Sequence, residues 1–79
     1  MMKMYEYDVE VVNAYSCKED KFVVLECVLR SGEETHVCKI FENHNEFFQK
    51  VVDGDIIEFK GTFALVNFNW RLISIKENK

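Results

Sequence analysis

A strict alternation of apolar and acidic residues near the start of the chain constrains its fold more than any other feature. From Tyr5 to Val11 the odd positions are apolar, and the even positions are Glu6, Asp8 and Glu10. Successive side chains of a strand point to opposite faces, so this period of two predicts a β-strand with one buried and one acidic face. Similar alternation returns in later segments, and the sequence therefore predicts an all-β domain.

Five strands are predicted, separated by short polar turns. They run from Tyr5 to about Tyr15 and over about residues 21–30, 35–42, 55–63 and 70–76. Both faces of the second strand are rather apolar, which predicts a central position in the sheet. For the third strand the alternation leaves open which face is inside. An inward row of His36, Cys38 and Ile40 is favoured because it leaves Lys39 in water.

One interruption of the alternation predicts a helix between the third and fourth strands. Asn43 stands three positions before Glu46, as in a capping box, and Gly54 provides a stop signal. The apolar residues between them recur at helical spacing: Phe47, Phe48 and Val51. A helix of about two turns is therefore expected. Further along, Gly61 inside the fourth strand predicts a bulge or a sharp bend, and residues 67–69 predict a turn.

The length and composition are those of one small globular domain. Residues 1–79 are interpreted as a single domain, with an ordered core over about residues 4–76 and a tail, residues 77–79, that should fray. The N-terminus turns acidic at once and lacks the apolar stretch of a signal peptide. The longest uncharged run, residues 61–70, is too short to span a membrane. We therefore expect a cytoplasmic protein without a membrane partner.

The charge and the cysteines narrow the function classes. Ten basic and fourteen acidic residues give a formal net charge of -4, which lowers the expectation of nucleic-acid binding without excluding it. Cys17, Cys27 and Cys38 are an odd number and favour reduced thiols. Together with His36 they lack the spacing of a zinc site, and no nucleophile with an orienting base or nucleotide loop is evident. Neither a metal, a cofactor nor catalysis is expected.

Several segments together carry a resemblance to a known fold family. They are Phe22-Val23-Val24-Leu25 through Phe41, the predicted helix, residues 52–61 with Gly54-Asp55 and Gly61, and Arg71-Leu72-Ile73-Ser74-Ile75. In this pattern the chain resembles the oligonucleotide/oligosaccharide-binding (OB) fold, and in particular its small anticodon-binding-type modules. The resemblance implies a five-stranded Greek-key barrel with one short helix between strands 3 and 4. Family members commonly have a glycine in the first strand; here Asn13 is the nearest tolerant residue.

The resemblance also implies a function, which is binding of single-stranded nucleic acid. Bases would stack on exposed rings, and phosphates would meet basic residues, in a groove across the second and third strands. The candidate residues are Lys21, Phe22, Lys39, Phe41, Lys60, Phe68, Trp70 and Arg71. For Phe22 and Phe41, exposure and a place in the core are equally open. Phe68 and Trp70 are expected to be exposed because polar Asn67 and Asn69 adjoin them.

A different class of function stays open beside this one. The chain could be a protein-binding OB-fold adaptor, or a small acidic inhibitor of the phage or mobile-element type, or it could form homo-oligomers. The acidic residues that would face a basic protein partner are Glu6, Asp8, Glu10, Glu33, Glu34 and Glu58. Their ordinary role is a solvated outer face. The feature that discriminates is whether basic residues converge on the aromatic face.

Overall fold

One antiparallel sheet with a single short helix makes up the fold. The computed structural model describes residues 2–76. Its elements are β1 (Tyr5–Cys17), β2 (Phe22–Ser31), β3 (Glu34–Asn43), α1 (Glu46–Val52), β4 (Glu58–Val66) and β5 (Asn69–Lys76). The strand order is β3-β2-β1-β4-β5. The predicted five strands and the helix between the third and fourth are confirmed, and the expected fraying of residues 77–79 lies outside the described residues.

The helix begins later than the sequence predicts. Its N-cap is Asn45, whose side-chain oxygen accepts a hydrogen bond from the backbone N–H of Phe48 at 2.9 Å. Asn43 is still part of β3, where it pairs with Phe22. The predicted capping box at Asn43 is therefore wrong, because the strand ladder extends through that residue. Within residues 2–76, no helix has the length and apolar character needed to cross a membrane.

A bulge in β1 lets this strand pair with two neighbours. β1 pairs with β2 over residues 8–17 and with β4 over residues 5–10. The register with β2 shifts between Val11 and Asn13, which leaves Val12 as the extra residue. A bulge bends a strand and increases its twist. β1 thus bends at Val12 although it contains no glycine.

Gly61 of β4 lies where β5 packs closely against it. A Cβ atom at this position would lie 2.7 Å from Cδ1 of Leu72 and 3.3 Å from the carbonyl oxygen of Ser74. The register between β4 and β5 also shifts next to it, between Thr62 and Phe63. The extra residue is Ile73 of β5, because Thr62 pairs with Ser74 and Phe63 pairs with Leu72. The predicted bulge is therefore not at Gly61 but in the neighbouring strand, and Gly61 itself permits β5 to approach.

The core lies on one face of the sheet. Its buried residues are Tyr7, Val9, Val23, Leu25, Cys27, Leu29, Ile40 and Phe63, with Phe48 and Val51 of α1 packed onto them. β2 is an interior strand, as predicted. In β3 the row of His36, Cys38 and Ile40 faces the core and leaves Lys39 exposed, which is the arrangement that the sequence favours.

The two edge strands of the sheet approach each other. Cα atoms of β3 and β5 come within 8 Å. The ring centroids of His36 in β3 and Trp70 in β5 are 5.1 Å apart. The backbone N–H of Leu72 in β5 also acts on the pKa of Glu42 in β3. No ladder joins these edges within the described part of the chain, so the sheet is not closed.

Candidate nucleic-acid interface

A groove lies between β3 and the β4–β5 hairpin. It encloses about 440 Å³ and is lined by Lys39, Ile40, Phe41, Val66, Asn67, Asn69, Trp70 and Arg71. We call this feature the β3–β5 groove. Four of the candidate residues, Lys39, Phe41, Trp70 and Arg71, meet here although they come from distant parts of the sequence. The approach of the two edge strands brings them together.

Two aromatic rings extend this surface toward β2. Phe41 is 57% exposed, and its ring centroid lies 6.4 Å from that of half-buried Phe22. The ammonium of Lys18 is 5.8 Å from the centroid of the Phe22 ring, within the range of a cation–π contact. The sequence leaves open whether these two rings are exposed or in the core. The structure shows that Phe41 is exposed and that Phe22 is partly covered.

Trp70 is half-buried, whereas the sequence predicts an exposed side chain. Its indole makes edge-to-face contacts with Tyr5 and Tyr7, at centroid distances of 5.5 and 5.3 Å. The neighbouring turn residues are polar, but Trp70 lies on the row of β5 that packs against the core, together with Leu72. The indole therefore forms one wall of the groove and is held by the rings behind it.

Phe68 stands at the tip of the β4–β5 hairpin and is 96% exposed, as predicted. Asn67 and Phe68 both have left-handed backbone conformations, with φ of 51° and 65°. Two consecutive residues of this kind characterise the tight hairpin turn that joins twisted strands. Asn tolerates the conformation, whereas a bulky residue such as Phe adopts it at a cost. The ring is thus presented to solvent next to the groove.

The two remaining candidates lie in different places. Lys21 is exposed in the β1–β2 turn beside Phe22, and its carbonyl accepts a hydrogen bond from the backbone N–H of His44 at 3.1 Å. Lys60 lies on β4, with its ammonium 3.6 Å from the Asp8 carboxylate. Six residues separate it from Val66 of the groove, about 20 Å along a strand. The structure therefore does not bring Lys60 to the other candidates.

Each cation of the groove has a carboxylate nearby. The Lys39 ammonium is 3.7 Å from Glu26, and the charge of Arg71 acts on Glu42. Burial raises the pKa of Glu42 above its usual range, although Arg71 and the Leu72 N–H act in the opposite direction. Local positive charge is thus partly neutralised, and any phosphate binding here must be modest.

The acidic stripe of β1 lies on another part of the surface. Glu10 pairs with Arg30 of β2, and Asp8 pairs with Lys60 of β4. These two cations are therefore engaged with the stripe and do not contribute to the groove. Glu10 nevertheless shares the outer face of the sheet with Phe41, because its partner Val28 lies four residues along β2 from Val24, the partner of Phe41. Acidic and basic residues are therefore not separated onto opposite faces, and positive charge close to Phe41 is limited.

Sequence reasoning missed a polar cluster that supports Trp70. The Glu34 carboxylate accepts hydrogen bonds from the Tyr7 hydroxyl and from Nε2 of His36. These bonds hold the pKa of Glu34 below its usual range, while burial and then the bond to Glu34 raise the pKa of Tyr7. Both rings contact the indole of Trp70. The hydroxyl of a buried tyrosine usually has a hydrogen-bond partner, so the position of Tyr7 on the core-facing row could have predicted a polar partner for it.

The arrangement offers stacking surfaces and cations. In the part of the chain that the structure describes, no three His, Cys, Asp or Glu side chains come together as metal ligands would. The groove instead combines rings, ammonium and guanidinium groups and the amides of Asn67 and Asn69. Comparison with known proteins finds no matching family model, no matching curated protein and no matching solved structure. Function is therefore argued from these side chains alone.

Proposed function

We propose that this chain is a non-catalytic module that binds single-stranded nucleic acid in the β3–β5 groove and across Phe41. The observation that carries the proposal is the exposed ring of Phe41 beside a groove whose walls contain Trp70 and Arg71. Stacking of a base on an aromatic side chain contributes about 1–3 kcal/mol and works with every base. A few such contacts sustain binding without a large positive charge.

The proposed architecture is the five-stranded Greek-key barrel of the OB fold. Three observations support it: the strand order β3-β2-β1-β4-β5, the helix between β3 and β4, and the approach of β3 to β5. In such a barrel β1 contributes to both halves, which agrees with its bulge and its pairing to β2 and β4. The groove then lies where the family binds its ligands.

The charges near the groove predict weak, mildly salt-dependent binding. Four cations border the ring surface, namely Lys18, Lys21, Lys39 and Arg71. If all four met phosphates of a single strand, the logarithm of the affinity would fall against the logarithm of the salt concentration with a slope of about -3. The carboxylates beside Lys39 and Arg71 make the expected slope shallower. Base stacking must supply the remaining affinity.

Fluorescence anisotropy with a labelled oligonucleotide of about 12 nucleotides tests the proposal. Phe41→Ala removes the exposed ring and should weaken binding by about 5- to 150-fold, the equivalent of one lost stacking contact of about 1–3 kcal/mol. Val37→Ala is the matched control, because Val37 lies on the same face of β3 and is 82% exposed. It should leave the affinity unchanged. Equal losses in both variants would contradict stacking on Phe41.

A second pair of variants tests the charges. Lys39→Ala and Lys60→Ala each remove one positive charge, but only Lys39 lines the groove. Lys39→Ala should lower the affinity and flatten the salt dependence, whereas Lys60→Ala should do neither. The proposal fails as a stand-alone activity if the wild-type chain shows no binding at about 100 μM protein in low salt, where even non-specific binders associate.

A protein-binding role is the second candidate, and the outer face of the sheet favours it. Tyr15, Val24 and Phe41 form a row across β1, β2 and β3. Val37, on the same face of β3 as Phe41, is also exposed, and so is Val12 at the bulge of β1. A basic protein could meet the acidic stripe, or two copies could pair through this row. Tyr15→Asp should abolish the pairing of two copies through this row, measured by sedimentation, while oligonucleotide binding persists.

A further inference from the structure

Two of the three cysteines face each other across a pair of strands. Cys27 of β2 and Cys38 of β3 are direct partners in the antiparallel ladder, and their Sγ atoms are 3.9 Å apart. Directly opposed Cα atoms in such a ladder lie about 4.5–5.5 Å apart, which is within the range that a disulfide spans. Cys17 pairs with Phe22 at the end of β1 and lies outside this arrangement.

We propose that Cys27 and Cys38 form a redox-active dithiol, which a small disulfide such as oxidised glutathione converts into a cross-strand disulfide. All three cysteines are free thiols in this structure. The pairing needs no movement of the backbone, because the two residues are already opposite each other. Rotation of the two side chains brings the sulfur atoms from contact to bonding distance.

The surroundings of the two thiols assign their order of reaction. Cys38 is half-buried and reachable, whereas Cys27 is buried in the core. The two sulfur atoms are within hydrogen-bond distance, and either thiol can be the donor. The contact with Cys27 and the nearby His36 hold the pKa of Cys38 below its usual range. The same contact and burial raise the pKa of Cys27. The thiolate therefore forms at Cys38, which reacts first.

The reaction is an ordinary thiol–disulfide exchange in two steps. The Cys38 thiolate attacks one sulfur of oxidised glutathione, the glutathione S–S bond breaks, and one glutathione thiolate leaves. Cys27 then gives its proton to solvent and attacks Sγ of Cys38, which releases the second glutathione thiolate. The two protein thiols are oxidised by two electrons, and one glutathione disulfide is reduced to two thiols.

The crosslink would tie β2 to β3 beside the groove. Glu26 and Lys39, the next pair in the ladder, form the ion pair on the outer face. A disulfide here limits the freedom of the unfolded hairpin and should raise the thermal unfolding midpoint. This inference is independent of the proposed function, because the thiols face the core rather than the groove.

Mass spectrometry of the folded chain after incubation with oxidised glutathione tests the dithiol. We expect a loss of about 2 Da from the intact protein and the loss of two titratable thiols. Trypsin should then release residues 22–30 joined to residues 31–39, since these fragments contain Cys27 and Cys38. A chain that retains both thiols, or that forms only adducts and dimers through Cys17, would overturn the proposal.

Two variants, each with one cysteine replaced, test which thiols form the crosslink and which of them reacts first. Cys17→Ser removes the remaining thiol and should leave the crosslink intact. Cys27→Ala removes the resolving thiol and should trap glutathione on Cys38, a gain of about 305 Da. The fluorescence emission of Trp70 checks that the variant is folded, because Trp70 lies in β5, outside the β2–β3 hairpin that contains the two cysteines. If a folded Cys27→Ala chain fails to form the adduct at Cys38, the proposed order of attack is wrong.

Discussion

Phe68 combines an almost fully exposed aromatic ring with a backbone conformation that bulky side chains avoid. Strained residues of this kind persist mainly where they contribute to function. The turn would form more readily with glycine at this position, because Asn-Gly is the preferred pair for it. We therefore propose that the Phe68 ring contacts the ligand and does not stabilise the hairpin.

Phe68→Gly should stabilise the fold and weaken binding at the same time. Relief of the left-handed backbone is expected to raise the free energy of unfolding by about 0.5–1 kcal/mol, after the greater flexibility of glycine in the unfolded chain is counted. Urea denaturation measures this change. Phe68→Ala is the control, because it removes the ring and retains the strained backbone. It should weaken oligonucleotide binding equally and give no gain in stability.

Glu42 predicts a pH dependence with a definite sign. Burial raises its pKa in the folded chain, so the protonated carboxyl favours folding. That contribution is complete at pH values below about 4, the ordinary range of a glutamate, and is lost as the pH rises through the raised value. Glu42→Gln removes the charge and retains an oxygen for the Leu72 N–H. Its stability relative to wild type should increase with pH, measured by denaturation at several pH values.

The same variant has a second readout in binding. Without the Glu42 carboxylate, the charge of Arg71 is free to meet phosphate, so Glu42→Gln should bind oligonucleotides more tightly at neutral pH. An affinity equal to that of wild type would contradict the assignment of Arg71 to the binding surface.

At the scale of the elements, Gly61 connects the sequence most directly to packing. Gly61→Ala places a methyl group against Leu72 and the backbone of Ser74, and should cost about 1–3 kcal/mol of stability. A double-mutant cycle tests the cause. In a Leu72→Ala background the same substitution should cost less, because the nearest atom is gone. An unchanged cost would point instead to the Phe63 ring, at 3.2 Å, or to the backbone of Ser74, at 3.3 Å.

The strands were predictable and their irregularities were not. Alternation located β1 to β5 because it depends only on neighbouring residues. The extra residue at Val12 and the cap at Asn45 depend on how far the ladders extend, which local pattern does not reveal. The site shows the same limit. Lys39 and Lys60 each lie on the polar face of a predicted strand, so the sequence does not distinguish them. The strand order shows that only Lys39 borders the groove.

At the scale of the whole molecule, the account depends on the approach of β3 to β5. This approach creates the groove and places His36 against Trp70. Proton NMR in solution should therefore show nuclear Overhauser effects between the His36 and Trp70 rings, whose centroids are 5.1 Å apart. Their absence in the folded chain would mean that the two edges separate and that the barrel does not form.

An NMR titration of the isotopically labelled chain with a single-stranded oligonucleotide locates the binding surface residue by residue. If the oligonucleotide binds in the β3–β5 groove, the shifted backbone amides should cluster in β3 at Lys39 and Phe41, in the hairpin over residues 67–71, and around Phe22. The amides near Asp8 and Lys60 should remain unchanged. Shifts confined to the β1–β4 side, or no shifts at saturating oligonucleotide, would contradict binding in this groove.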